Sequence, residues 1–238
     1  HTATHLLHAE LKQVLGAHAR QAGSLVAADR LRFDFTHPDA VTGDQLLLIE
    51  KGVNEAIYNN YPVNVVEKNL QEALAEGATA LFGEKYHEVV RTVSLGDDRF
   101  SSYELCGGTH VSSTGDIGLF IITSEGSVAS GIRRIEAVTG IEAYRYIKTK
   151  LEILNKLARK LNIQVDGLPE RVDGIEQEME VLRKEVSHLK EKQLHSEFVS
   201  KLDAAQKIND VIYLSVKLDN ADADNLRLLT DYFKQKFP

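Results

Sequence analysis

The sequence has little with which to cross-link itself, enter a membrane or attract a polyanion. It holds one cysteine, Cys106, so no internal disulfide can form, and a lone thiol suits a reducing cytoplasm. No apolar run approaches the roughly 20 residues that a membrane span needs, and the N-terminus has no signal-peptide pattern. The formal net charge of −7 does not advertise nucleic-acid binding, for which only a local basic patch would then serve. An initiator methionine is missing too; the chain starts at His1 and is expected to be a piece of a longer protein. What is present is ordinary for a globular protein. Of 238 residues, 43% are hydrophobic and 26% charged, which allows one large domain or two smaller ones.

Two short stretches, about a hundred residues apart, carry the chemistry. In His1-Thr2-Ala3-Thr4-His5, two imidazoles stand at i and i+4. The helix formers that follow, with apolar residues at Leu6, Leu7, Leu11, Val14 and Leu15, put that pair on one helical face. In Cys106-Gly107-Gly108-Thr109-His110, a thiol and an imidazole flank a Gly-Gly turn. Each half alone is weak, but together they supply two nitrogens from a helix and a sulfur and a nitrogen from a loop, a tetrahedral zinc set. Four protein ligands (His1, His5, Cys106 and His110) describe a closed, structural zinc; three would leave an open position for water. His8 lies close to the same face, as an alternative ligand or a supporting histidine. Carboxylates that orient the histidines are expected among Glu10, Glu104 and Asp116.

Period and punctuation predict an α+β fold: an antiparallel sheet with helices packed on one side, then a helical hairpin or coiled-coil segment, then a short strand–helix. A helix runs to Gly16. Strands over 24–36 turn at Ala28-Asp29. A capping box, Thr42 with Gln45, opens a helix to about Asn60, and Val63–Glu67 is a strand. A second box, Asn69 with Glu72, opens a short helix ended by Gly77. Val89–Leu95 is a strand turned by Gly96-Asp97-Asp98, and Tyr103–Leu105 delivers the Cys106 loop. Ile117–Ser124 and Ile132–Val138 are strands joined by the Gly- and Ser-rich stretch Glu125–Gly131. Residues 141–161 form an amphipathic helix with Tyr144, Ile147, Leu151, Leu154, Leu157 and Leu161 inward. After Gly167-Leu168-Pro169, the positions Val172, Ile175, Met179, Leu182, Val186 and Leu189 alternate steps of three and four, the mark of a long helix packed on its predecessor. Val211–Leu218 is a strand and Ala223–Phe237 a helix. The expected parts are 1–140, 141–208 and 209–238.

Further blocks occur in order: Gly23-Ser24-Leu25-Val26, Leu31-Arg32-Phe33-Asp34-Phe35, Ala80 to Tyr86, Glu104 to His110 and Gly131 to Gly140. With His1–His8 they resemble the editing domain of alanyl-tRNA synthetase of bacterial type, densely to about residue 140 and more loosely beyond. The threonyl-tRNA synthetase editing domain is similar in the two metal half-motifs. The resemblance implies hydrolysis of tRNA(Ala) mischarged with serine or glycine at a zinc-bearing site, in a chain whose aminoacylation domains would precede His1. It implies that Thr4 faces the pocket and can bond a serine hydroxyl, and that Gln21 takes part in editing. It makes Arg133, Arg134 and Gly131 candidates for the tRNA backbone, although adjacent strand residues face opposite ways, so one arginine at most should reach it. Arg32 is either another such contact or an ion-pair partner of Asp34. It implies a helical linker (141–208) and a truncated C-terminal domain (209–238), through either of which the chain could self-associate. Three rivals stand beside this reading: a free-standing trans-editing deacylase, a non-catalytic tRNA-binding module with structural zinc, and an unrelated zinc esterase.

Overall fold

A computed structural model describes residues 1–80, 86–97, 101–209, 211–219 and 221–237. The chain divides into two compact units, 1–153 and 154–238.

The first unit is built around α1 (Thr2–Leu15). This helix is not amphipathic in the ordinary sense. Every residue from Thr2 to His8 is buried, as are Glu10 and Leu11, because it is covered on several sides. Its C-terminus is closed by Gly16, whose φ of 111° favours glycine. After it, β1 (Gln21–Val26) and β2 (Leu31–Thr36) form a hairpin. The amide of Ala27 donates to the carbonyl of Arg30 across the turn, at the expected place. In β2, Leu31, Phe33 and Phe35 point into the core. The capping box of α2 (Gly43–Tyr58) is present as expected, with Thr42 and Gln45 bonding each other's backbone amides.

Among the described residues of this unit the strands form two sheets rather than the one expected. The first has the order β1-β2-β7-β6, all antiparallel, with β6 spanning Phe120–Ala129 and β7 Ile132–Thr139. The second is a meander of β3 (Asn64–Asn69), β4 (Val89–Gly96) and β5 (Ser101–Leu105), with α3 (Leu70–Ala75) between its first two strands. Period-2 patterning announces strands but not their partners, which is why the split was not visible. The large core, centred on Leu6, Leu7, Leu11, Phe33, Phe35, Ile49, Val53, Phe120 and Ile135, lies between α1, α2 and the first sheet. The second sheet has a small core of Ala73, Ala78, Val90 and Leu105.

Other expectations change in detail. Glu125–Gly131 is not a connection: β6 continues to Ala129, accommodating the stretch with register shifts at Ile122/Ser124 and Ser127/Ala129, and the turn is only Ser130-Gly131. Ile117 ends a 3-10 turn, Thr114–Ile117, instead of opening a strand. Asn69 caps α3 through the amide of Gln71, so Glu72 closes no box. Most of the Ala80–Tyr86 block, and Asp98 of the Gly96-Asp97-Asp98 turn, lie outside the described residues.

α4 (Gly140–Leu161) and α5 (Leu168–Ser200) form as the period predicts. The inward faces do not. Tyr144, Leu151, Leu154 and Leu157 are 39–59% exposed, and Val172, Met179, Leu182, Val186 and Leu189 are 44–58% exposed. In the second unit the expected strand shortens to β9 (Val211–Tyr213), paired with an unforeseen β8 (Gln206–Ile208). Phe198, Leu202 and Leu229 of α6 (Ala223–Lys236) gather a local core with Leu214, Tyr232 and Phe233.

Glu10 is the odd residue of the α1–α2 contact. It is 6% exposed and its carboxylate rests on Gly52 of α2, where any Cβ would collide with it. Burial, then the charge of Glu55, pushes its pKa from 4.5 up to about 6. The protonated acid therefore suits the fold: its contribution is complete below about pH 4.5 and is lost as pH rises through 6. Glu10→Gln is expected to stabilise the protein at pH 7.5 by about 1–2 kcal/mol, a Tm rise of about 2–6 °C by thermal denaturation. The gain should disappear at pH 4.

Candidate metal centre

The half-motifs meet where the first turns of α1 pass the end of β5. His5, Cys106 and His110 each offer a ligand atom, all within 4.8 Å of one another. The order of events along the chain explains how. β5 pairs with β4, and the Cys106 amide donates to the Arg91 carbonyl (3.1 Å), so the strand end is fixed before the loop begins. An Arg91 guanidinium N–H then donates to the Gly108 carbonyl, and the Gly108 amide donates to the Cys106 sulfur (3.4 Å). Gly108 must be glycine because a Cβ there would enter the His1 ring.

One carboxylate organises the imidazoles. Glu104 of β5, 6% exposed, accepts from His5 Nδ1–H at one oxygen and from His8 Nδ1–H at the other, both at 2.7 Å. Thr2 Oγ1 lies 3.0 Å from His110 Nδ1. With their Nδ1 atoms engaged, His5 and His110 turn Nε2 toward the Cys106 sulfur, and among the described residues neither buried Nε2 has a nitrogen or oxygen partner. Two buried imidazole nitrogens beside a thiol are what a borderline-soft cation such as zinc takes.

The charges agree. Burial alone would raise Cys106, but His110, His5 and the Gly108 amide outweigh it and hold the thiol at about 5. Burial lowers His5, and its contacts with Cys106 and Glu104 overcome that to bring it to about 9. Burial raises Glu104, and its bonds to His5 and His8 reverse that to about 2. On their own, these side chains thus favour a thiolate beside a protonated His5; the thiolate is the form that ligates metal, and His5 must give up its Nε2 proton to join it.

The other sequence candidates are placed differently. His1 stands outside the three-residue cluster: its ring is tilted against that of His110, with centroids 6.1 Å apart. Thr4 is 6% exposed and its hydroxyl donates to the His1 carbonyl (2.6 Å). Gln21 starts β1, donates to Ser24 Oγ (3.1 Å) and lines a cavity of about 350 Å³ together with His8, Lys12 and Arg20. Both arginines are held by carboxylates. Arg133 is bidentate to Glu125 (2.6 and 2.7 Å) and Arg134 to Asp34 (2.7 and 2.9 Å). Arg134, more than Arg32 at 3.9 Å, is the partner that holds the Asp34 carboxyl below its usual range. Gly131, with φ 70°, forms the β6–β7 turn and its carbonyl accepts from the His37 amide (3.0 Å). Of the three carboxylates considered as orienting groups, Glu104 has the role; Asp116 instead caps Ser113, and Glu10 faces α2. Thr2 and Arg91 were missed; a threonine inside the His-x-x-x-His stretch was the only signal for the first, and nothing local marked the second.

An α+β unit with a Cys/His centre fixed by a buried glutamate is the setting in which the comparisons fall. Residues 90–136, which carry Glu104, Cys106, His110 and both arginines, match the family described as "Threonyl and Alanyl tRNA synthetase second additional domain". That segment is similar to a domain of the tRNA synthetases. Over 236 residues the chain is 48% identical to the alanine–tRNA ligase of Oceanobacillus iheyensis and 50% identical to that of Desulfitobacterium hafniense, covering 99% of this chain and 26% and 27% of those proteins. It is 48% identical, over the same length, to that of Geobacillus kaustophilus. The chain is homologous to one segment of the alanyl-tRNA synthetases and spans about a quarter of their length.

If Glu104 sets the His5 tautomer and aim, Glu104→Gln, which can bond only one of the two imidazoles as before, should weaken zinc affinity 10–100-fold. Competition with a chromogenic chelator reads this directly, and an unchanged affinity would remove Glu104 from the centre.

Proposed function

We propose that the first unit is an aminoacyl-tRNA deacylase that removes serine or glycine from mischarged tRNA(Ala), working in the cytoplasm as part of an alanyl-tRNA synthetase with its aminoacylation domains. The single observation that carries this is the convergence of His5, Cys106 and His110 in a chain homologous to that family. The need is physical. A small pocket that accepts alanine cannot strongly reject an added hydroxyl, and losing one methyl is worth only about 1–3 kcal/mol, so a second, hydrolytic sieve is required.

His5, Cys106 and His110 would hold zinc, with His1 beside them as a fourth ligand or leaving that position to water. A bound zinc would supply a Lewis acid, or a water of lowered pKa. The chain's own residues do the rest. Glu104 fixes His5 and His8. Gln21, on the cavity wall beside His8, offers an amide to orient the ester. Thr4 already spends its proton on the His1 carbonyl, so its oxygen can only accept. A serine hydroxyl can donate to it and an alanine methyl cannot, which gives a polar test for serine; glycine would have to be sorted by size alone. Water adds to the ester carbonyl, the bond to the ribose oxygen breaks, and that oxygen takes a proton, releasing amino acid and free tRNA. Arg133, Arg134 and Gly131 stay candidate tRNA contacts, with one arginine at most reaching the backbone, and only by exchanging its carboxylate for a phosphate. The division into 1–140, 141–208 and 209–238 is kept as editing domain, linker and start of a further domain.

Single-turnover deacylation of Ser-tRNA(Ala), with Ala-tRNA(Ala) alongside, tests this. Serine should be lost at least 100-fold faster than alanine, and Cys106→Ala should abolish the difference. Bound zinc and bound tRNA without hydrolysis would instead support the structural-zinc module.

Self-association is proposed through α5. Its exposed stripe places Val172, Met179 and Val186 at heptad position a and Ile175, Leu182 and Leu189 at d. In a parallel, in-register pair, Arg171 of one copy meets Glu176 of the other. Glu178 likewise meets Arg183 and Glu185 meets Lys190, so every pair flanking these heptads is of opposite charge. The same heptads paired antiparallel about their centre set Glu178 against Glu185, although Glu176 then meets Arg183. Sedimentation should detect a dimer that Glu178→Lys weakens at least 10-fold and that adding Arg183→Glu restores.

A further inference from the structure

The stretch between α1 and β1 makes a junction of two cavities. The first, about 350 Å³, is walled by His8, Lys12, Arg20 and Gln21. The second, about 540 Å³ and more open, is walled by His18, Arg20, Thr36, His37 and Gly131. Ala17 and Arg20 belong to both. Among the described residues no aspartate or glutamate lines either cavity, although acidic residues outnumber basic ones 35 to 28 in the chain. Lys12 and Arg20 form no ion pair among the described residues. This contrasts with Arg133 and Arg134, whose forks are occupied.

Arg20 is held in place by its backbone, which leaves its side chain exposed. Its amide donates to Thr36 Oγ1 (3.1 Å), and its carbonyl accepts from the Thr36 amide (2.9 Å). Buried Ala19, with 0% exposure, pins the turn beneath it. Across the second cavity His18 and His37 lie edge to edge and nearly coplanar, with ring centroids 5.1 Å apart at 17°, joined by a 2.8 Å bond between Nε2 and Nδ1. Two coplanar imidazoles give a base a flat surface, and an unpaired guanidinium grips a phosphate with two N–H groups.

We infer that Arg20 clamps the phosphodiester between the last two nucleotides of a single-stranded RNA 3′ end. The terminal nucleoside enters the Gln21 cavity, and the preceding base lies on the coplanar His18–His37 pair. Two nucleosides flank one phosphodiester, and two cavities flank one arginine. Lys12 adds charge on the terminal side. The inference rests on the editing reading above for the identity of the RNA, while the site itself rests on Arg20, the two histidines and the carboxylate-free walls. It gives the acidic chain the local basic patch that its composition did not reveal.

The test uses the whole chain with Arg20→Ala and Arg20→Lys, checked for unchanged thermal unfolding. Two measurements are made. In the first, affinity for uncharged tRNA is followed against salt. Arg20→Ala should weaken binding about 10-fold and reduce the salt slope by about one, while Arg20→Lys should keep the slope and recover part of the affinity. In the second, deacylation of Ser-tRNA(Ala) is compared with that of a 3′-seryl ester of adenosine, which has no phosphodiester. Arg20→Ala should raise KM for the tRNA ester about 10-fold and leave both kcat and the adenosine ester within twofold of wild type. An Arg20-dependent salt slope without any deacylation by the wild type would overturn the editing reading and uphold the phosphate clamp. A slope and affinity identical in wild type and Arg20→Ala would overturn the clamp, as would a wild type that does not bind tRNA.

Discussion

The carboxylate of Glu104 is the constraint on which the site depends. It is buried between α1 and the second sheet and holds one imidazole on each oxygen. A buried charge is costly unless it is fully bonded, so neither histidine can turn away without leaving that charge exposed to a low-dielectric interior. The bond fixes the His5 tautomer, aims its free nitrogen at Cys106 and His110, and ties the first helix to the end of β5. This polar contact adds to the apolar one by which Leu95 of the second sheet enters the large core.

That bond was only half legible in the sequence. The ligand residues were, because His-x-x-x-His on a helix and Cys-x-x-x-His across two glycines are local patterns with a local geometric meaning. Glu104 was one of three carboxylates that no spacing rule could separate, since its partners lie 99 and 96 residues away. The fold divides in the same way. Helix ends announced by Thr42 and Gly16, and the hairpin turn near Asp29, are fixed by neighbouring residues and were readable. The split into two sheets, the continuation of β6 through Ser127, and the β8–β9 hairpin depend on which strand finds which, and no short-range signal carries that. The apolar stripes of α4 and α5 were read as buried because a stripe looks the same whether or not its cover is present in one chain.

The arginines show a different limit. Arg133 and Arg134 stand out in the sequence as a pair of adjacent charges, but each is matched across the sheet by a carboxylate that the register brings opposite or nearby, Glu125 and Asp34. Arg20 sits alone in the sequence beside a turn and draws no attention there. It is the lack of a matching acid in three dimensions that sets it apart. Charge read along a chain is a poor guide to the charge a ligand meets, because pairing is decided by the fold.

The distance along the chain between His5 and Glu104 has a consequence for biosynthesis. A ribosome adding about 5–20 residues per second makes the 99 residues that separate them in roughly 5–20 s. For that interval a helix carrying Leu6, Leu7 and Leu11, all with 0% exposure in the finished protein, has neither its carboxylate nor its second sheet. The N-terminal histidines must wait unpaired, and no metal centre can assemble until β5 and the Cys106 loop have left the exit tunnel. The centre is therefore a late checkpoint on folding, formed only by chains that have kept their first helix soluble.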